Sequence, residues 1–351
     1  MNLQAKQMTA HVINNQSHDS LAERGLLKRI VSFREIGIFG AVIVLFIALT
    51  LINQDGDVNK FTRTENLLTI ARQISMVTLL AVGMTFIIVG GDIDLSVGSV
   101  FATTGIVLGT LIKQVHMNPW LALICALLLG LLIGLLNGLV VTKLGVPAFI
   151  VTLGGLSTYR GIALGIAGGY PVTSLPVSRF YDITAGYLVI QTGRYLSIPM
   201  QVIWMLTVLA IGFVVLSKTR FGYHVYATGS NRLAATLAGI PTDRVRLFAF
   251  MLMGFLVALG SGLQLGFLKS FAPTAGSNLE LRVIAAVIIG GTNLFGGSGN
   301  VLGTFLGATV VGMINNGLIL AGVPTYWQFF AIGLIIIGAV VLDMQIRRRQ
   351  K

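Results

Sequence analysis

Ten apolar stretches, separated by short polar or glycine-rich connections, leave this 351-residue chain few folds to choose from. They fall at 36–52, about 70–89, 95–112, 119–142, 146–168, 197–217, 244–268, 281–296, 299–322 and 326–343. Most approach the roughly 20 apolar residues that a helix needs to cross the hydrocarbon core. Two of them, 95–112 and 281–296, are shorter, and both adjoin glycine-rich breaks. A backbone in lipid must satisfy its own hydrogen bonds, so such segments are helices. Composition agrees: 55% of residues are hydrophobic and 10% are charged, against about 25% charged in a soluble domain. The expected class is an all-α polytopic membrane protein, about ten transmembrane helices with interrupted segments near 90–98 and 290–299.

An even number of spans puts both termini on one side, and charge indicates which. With the termini inside, internal segments carry fifteen Lys and Arg and external loops carry seven, as the positive-inside rule requires. The formal net charge of +12 is thereby explained without nucleic acid as a partner; the bilayer is the partner. The expected division is a cytoplasmic tail 1–35, a transmembrane domain 36–343 and a basic cytoplasmic tail 344–351. Within the domain, 218–243 is cytoplasmic and 169–196 is external. Basic residues before 36–52 give a signal-peptide flavour, but no small-residue cleavage site follows, so this is read as an uncleaved first span. Arg72 and Arg160 fall inside spans, and Arg160 is expected to snorkel outward.

Other chemistry is thinly represented. Cys125 stands alone in an apolar run, and His11, His18, His116 and His224 have no ligand spacing, so no metal is expected. The dipeptide Gly-Lys occurs nowhere, so the chain has no Walker A loop. No cofactor and no catalytic residue are expected.

The stretch Val89-Gly90-Gly91-Asp92-Ile93-Asp94-Leu95-Ser96-Val97-Gly98 puts two carboxylates and a hydroxyl between very apolar segments. A charge at membrane depth costs about 2.5–3.5 kcal/mol on insertion scales and usually faces a cavity or protein interior. Two readings stand: a functional break, with Asp92, Asp94 and Ser96 lining or supporting a pathway, or a polar turn at the surface. Asp94 and Ser96 also suit capping of 95–112. Ile88-Val89-Gly90-Gly91 has an echo in Ile288-Ile289-Gly290-Gly291, followed by a polar break containing Asn293. Matching interrupted segments in two halves point to a transport pathway between them, and here the repeat is expected to be parallel. Asn293 joins the candidate pathway or gate-supporting residues. A secondary transporter using Asp92 and Asp94 as proton carriers, or a membrane scaffold, are the competing classes.

Glycines at four-residue spacing, Gly130/Gly134/Gly138, Gly161/Gly165/Gly169 and Gly299/Gly303/Gly307, are expected to be helix-packing faces. The external segment 169–196 has room for a small strand or short helix. In the internal loop, Asn231 is placed to cap a short helix from Arg232 to Ala238 that Gly239 terminates. This helix reads either as a docking element for a partner or as a surface connector.

Taken together, Gly90–Gly98, Asn137-Gly138-Leu139 through Thr152-Leu153-Gly154, the Phe221–Gly239 loop, Leu279-Glu280-Leu281-Arg282 through Gly299, and Asn316-Gly317-Leu318 with Val341-Leu342-Asp343 resemble the permease subunits of ATP-binding-cassette importers for monosaccharides, the group handling ribose, xylose, arabinose, galactose, rhamnose or autoinducer-2. The resemblance runs over nearly the whole chain from about residue 65. It implies a permease homodimer or heterodimer, separate cytoplasmic ATP-binding subunits that hydrolyse ATP, and a periplasmic or lipid-anchored sugar-binding protein. It implies a multi-pass bacterial inner-membrane location with cytoplasmic termini. It also makes Gly229, Asn231, Ala234, Ala235 and Gly239 the core of an ATPase-coupling loop. Leu233 stands where an acidic residue is frequent, Asp92 where many members have Gly, and Arg282 where many have Asp. Pro273-Thr274-Ala275-Gly276 is ribose-like, whereas Tyr159-Arg160-Gly161 and Tyr226-Ala227-Thr228-Gly229 are closer to the rhamnose and autoinducer-2 members.

Overall fold

Glycine and proline punctuate the helices where the sequence places them. In the computed structural model, which describes residues 33–55, 58–192, 194–324 and parts of 326–341, the helices are α1 (Phe33–Ile52), α2 (Thr64–Val89), α3 (Val97–Lys113), α4 (Pro119–Lys143), α5 (Ala148–Ala167), α6 (Arg179–Ala185), α7 (Met200–Lys218), α8 (Arg220–Ser230), α9 (Arg232–Leu237), α10 (Thr242–Leu268), α11 (Leu279–Ile289) and α12 (Val301–Leu320). The residues up to 32 and the basic end 344–351 lie outside the described residues. Pro119 opens α4 behind Asn118, whose side chain accepts from the Trp120 amide at 2.9 Å. Gly168, left-handed at φ 59°, closes α5.

Six of these helices, α2, α4, α5, α7, α10 and α12, are long and apolar enough to span a membrane, and α1 and α3 supply shorter apolar lengths. The all-α polytopic class is what the chain adopts. Two-stranded ribbons are the only sheets among the described residues: β1 (Gln54–Asp55) with β2 (Val58–Asn59), and β3 (Tyr187–Thr192) with β4 (Arg194–Pro199). The second ribbon and α6 occupy the segment expected to hold a strand or short helix.

Burial sorts the spans into centre and periphery. The most apolar window of α2 is 78% buried and that of α10 67%, against 28% for α7 and 17% for α5. Every residue from Val77 to Val89 is buried, so this half of α2 is enclosed on all sides, as a central helix must be. Helix α10 lies along α4, the most extensive helix pair in the molecule. Their approach depends on the expected glycines: a methyl at Gly130 would strike the Gly254 carbonyl, one at Gly134 the Phe250 carbonyl, and one at Gly138 the Leu247 side chain. Gly303 and Gly307 likewise face Gly290 and Ala286, bringing α12 onto α11.

Two glycine expectations require correction. Gly161, Gly165 and Gly169 meet nothing within 4 Å, so within one chain they are no packing face. Four-residue spacing records that a stripe is small, and α5 turns this one away from its neighbours. Gly299 precedes α12 rather than lying on it, and packs against Thr292 in the loop. Arg160 also departs from expectation. Its guanidinium turns inward, Nη1 donating to the carbonyls of Pro273 (2.7 Å) and Ala275 (2.9 Å) and Nη2 to that of Gly98 (3.2 Å). The carbonyls of Gly98 in the first turn of α3 and of Pro273 and Ala275 before α11 lie within reach, so the side chain has no need of the interface.

Candidate functional site at the glycine junction

The two interrupted segments are one backbone motif used twice. At the end of α2, the amides of Gly90, Gly91 and Asp92 donate to the carbonyls of Phe86 (3.0 Å), Ile88 (2.9 Å) and Ile87 (3.0 Å). At the end of α11, Gly290, Gly291 and Thr292 donate to Ala286 (2.9 Å), Ile288 (2.9 Å) and Val287 (3.1 Å). Gly91 and Gly291 take φ values of +85° and +90°, a conformation costly for any residue with a Cβ. The 200-residue echo in the sequence is therefore a repeat in space.

The two copies also meet. The Gly297 amide donates to the Val89 carbonyl at 2.9 Å, tying the second break to the first. The end of α8 closes this junction: Gly229 lies so near the Val89 carbonyl and the Gly297 amide that no Cβ fits between them. Because α2 and α11 both end at this point, the repeat is parallel. The loop expected to hold one short helix holds two, α8 and α9. Asn231, extended at φ −156°, breaks between them and caps α9 by accepting from the Ala234 amide at 3.0 Å. Gly239, at φ +83°, ends α9, and Ala235 is its one buried residue. Leu233 and Leu237 stand out at 71% and 81% exposed, leaving an apolar ridge on a polar loop.

Asp92 and Asp94 are separated by one residue and have different partners. Asp92 is held bidentately by Arg246 at the start of α10, with Nε to Oδ2 at 2.6 Å and Nη2 to Oδ1 at 2.8 Å. Both side chains are 8% exposed. Arg232, the first residue of α9, approaches the same carboxylate at 3.6 Å. The extra charge at Asp92 is thus matched by two arginines. Breaking a buried pair of this kind typically costs about 3–5 kcal/mol, since the survivor is left uncompensated.

Asp94 Oδ1 accepts from the Ser96 amide at 2.8 Å and the Ser96 hydroxyl at 2.6 Å. Ser96 in turn accepts from the Asn137 amide group on α4 at 3.1 Å, and the Tyr159 hydroxyl on α5 donates to Asn137 Oδ1 at 2.7 Å. Thr152 on α5 donates to the Ile93 carbonyl at 3.3 Å. The start of α3 is therefore fastened to two neighbouring helices by a buried polar chain. The expected capping is not made: Ser96 caps nothing with its own side chain, and Asp94 folds the turn ahead of α3 by accepting from the Ser96 amide and hydroxyl. Asn293 folds its own loop, donating to the Gly296 carbonyl at 2.6 Å and accepting from the Phe295 amide at 3.0 Å.

Sequence reasoning did not pick out Arg246, Asn137 or Tyr159. Arg246 counted as a loop charge, although it is buried. Asn137 did carry a signal, being an amide inside an apolar span, and a polar group at that depth calls for a partner. Tyr226 on α8 was also passed over. Its hydroxyl donates to the Gly299 carbonyl at 2.7 Å, and burial pushes that hydroxyl above the ordinary phenol range, which keeps it a donor.

Comparison with known proteins places this arrangement. Residues 66–340 match the family described as branched-chain amino acid transport system / permease component. The ribose import permease protein of Haemophilus influenzae is 39% identical over 305 residues, covering 87% of this chain and 91% of that protein. That of Bacillus subtilis is 39% identical over 311 residues, 88% of this chain and 92% of the relative. The autoinducer 2 import system permease protein of Salmonella typhi is 34% identical over 337 residues, 93% of this chain and 92% of the relative.

Proposed function

The chain belongs to the branched-chain amino acid transport system / permease component family, and from that premise we propose that it is the transmembrane subunit of an ATP-binding-cassette importer that moves a monosaccharide across the bacterial inner membrane by alternating access. It is a transport subunit and no enzyme; ATP hydrolysis belongs to separate cytoplasmic subunits. The ribose import permeases at 39% identity support a ribose-like sugar, with autoinducer-2 as the alternative cargo within the same class. The complex contains two permease subunits, two ATP-binding subunits and a periplasmic or lipid-anchored sugar-binding protein. Both termini are cytoplasmic, in keeping with the fifteen-to-seven distribution of basic residues.

The observation that carries this reading is the junction of α8 with both breaks. A capped helix, α9, projects Leu233 and Leu237 from the loop, and its first residue reaches the carboxylate at the first break. An ATP-binding subunit that grips α9 thereby acts on Gly229, Val89 and Gly297 together. Closing the ATPase dimer displaces α9, the displacement reaches the ends of α2 and α11, and the pathway between the halves opens outward. Gly229, Asn231, Ala234, Ala235 and Gly239 form the coupling element. Asp92, Asp94, Ser96 and Asn293 support the gate by fixing the breaks. The proton-carrier alternative is weakened at Asp92, which is engaged by two arginines, while Asp94 is held by the Ser96 amide and hydroxyl.

Gly239→Arg is the direct test. It is expected to abolish co-purification of the ATP-binding subunit while the permease still inserts; retained co-purification would defeat the docking assignment. In proteoliposomes holding the assembled complex, sugar entry is expected to follow ATP. Entry driven by a proton gradient with no ATPase present would sink the importer reading.

A further inference from the structure

At the end of the helix core away from the glycine junction there is a cavity of about 330 Å³. Arg72, which lines it, stands seventeen residues before Val89 on α2, about 26 Å along the axis at 1.5 Å per residue. Arg72 and Gln73 of α2, Gln201 of α7, Gln264 of α10 and Arg282 of α11 place polar side chains in its wall. No residue lining it is acidic.

Four of its polar atoms are buried and lack a hydrogen-bond partner: Arg72 Nε, Gln73 Oε1, Gln201 Oε1 and Arg282 Nε. Gln201 is only 4% exposed. Polar groups taken from water without partners are unfavourable, so a site that collects four of them is shaped for something else. Arg72 is also fixed in orientation, its guanidinium carbon lying 4.5 Å from the Phe267 ring centroid and 4.6 Å from that of Tyr187. Glu280 lies against Gly98, acts by its charge on both Arg160 and Arg282, and is not among the lining residues.

These features specify an occupant. The volume sits at the small end of the usual range for ligand cavities, about 300–1,000 Å³, and suits one sugar ring. The glutamine side chains offer acceptors and donors to hydroxyls, and Phe101 and Phe267 offer apolar faces to ring carbons. Water would satisfy the glutamines equally well. It would supply no counter-charge to two half-buried arginines in a wall without a lining carboxylate, where the charge of Glu280 acts on Arg282 from outside the lining residues, and an acidic ligand would. We infer that this cavity is a transit site for a monosaccharide bearing one acidic group, a carboxylate or a phosphate, which Arg72 and Arg282 recognise. The assignment of a sugar rests on the permease reading above; the preference for an anion rests on the cavity alone.

The test uses the purified full-length chain in nanodiscs, with thermal stability followed against D-ribose, D-ribonate, D-ribose 5-phosphate and inorganic phosphate. One of the two acidic sugars is expected to stabilise the chain saturably at concentrations at least tenfold below D-ribose, and the tighter arm identifies the acidic group. Arg282→Gln is expected to weaken that response tenfold or more. Gln201→Glu, which adds a negative charge at constant shape, is expected to abolish the acidic-sugar response, and it serves if Arg282→Gln does not fold. Equal responses to neutral and acidic sugars, no response to any sugar, an inorganic phosphate response as large as the sugar's, or variants that respond like the parent chain would each overturn the site. ATP-binding-subunit capture by the same preparation separates the two readings. Capture without acidic-sugar binding removes the cavity proposal alone, and acidic-sugar binding without capture removes the importer reading alone.

Discussion

At the end of α2 the chain turns through Gly90, Gly91 and Asp92, and at the end of α11 through Gly290, Gly291 and Thr292, with the same three hydrogen bonds in each. Beyond the backbone the two differ. Asp92 is charged, engaged by Arg246 and approached by Arg232, whereas Thr292 is fully buried with a hydroxyl that has no partner. Asp94 and Ser96 tie the first break to α4 through Asn137; Asn293 binds only within its own loop. The second break is held from outside by Tyr226 instead. A duplicated scaffold thus supplies shape on both sides, while the ionic contacts that reach α9 and α10 lie on one side only. In a two-state gate this would make the first break the element that registers where α9 is, and the second the surface against which it closes.

The sharpest way to break the comparison is Arg246→Ala. It leaves Asp92 buried and uncompensated, and is expected to cost about 3–5 kcal/mol in unfolding of the purified chain. The paired change Asp92→Asn with Arg246→Gln is expected to recover most of that loss; a double variant as unstable as the single one would show that the pair is not the cause. Next comes Gly229→Ala, which drives a methyl into the Val89 carbonyl and should cost about 1–3 kcal/mol through forced backbone movement. Its effect on ATP-driven sugar uptake is expected to exceed its effect on stability, because it separates both breaks from α8.

Smaller effects sharpen the contrast. Tyr226→Phe removes one hydrogen bond to the second break and should cost about 1 kcal/mol, read in the same unfolding assay. Thr292→Val is expected to be neutral or to stabilise the chain by up to about 1 kcal/mol, since it deletes a buried hydroxyl that has no partner. A large loss at Thr292 would mean that the second break has a polar role of its own, and the asymmetry would fall.

The parts of this picture that were readable from sequence are those governed by local rules. Apolar runs of spanning length, Asn231 before a short helix, Gly239 after it, and the recurrence of Ile-Val-Gly-Gly as Ile-Ile-Gly-Gly all express chemistry within a few residues. What escaped reading depends on contacts distant in sequence. Arg246 resembled any basic residue at a loop end, because its carboxylate partner lies 154 positions earlier. Arg160 was given the interface because the carbonyls of Pro273, Ala275 and Gly98 could not be placed near it. The stripe Gly161/Gly165/Gly169 looked the same on paper as Gly130/Gly134/Gly138. Only the orientation of α5 distinguishes them, and a pattern of small residues does not encode orientation. The cavity shows the same limit: Arg72 and Arg282 were each visible as oddities, but nothing local said they share a wall.

The pairing of Asp92 with Arg246 has a consequence for biogenesis. A ribosome adding about 5–20 residues per second makes the carboxylate some 8–30 s before it makes the arginine that neutralises it. During that interval α3 through α9 are synthesised, and an unpartnered charge at the end of α2 favours keeping the first break at the water-facing edge of the bilayer. Arrival of α10 then draws Asp92 in. The ion pair is in this sense a latch that closes late, and inward packing of the first break waits for the chain to be two-thirds made.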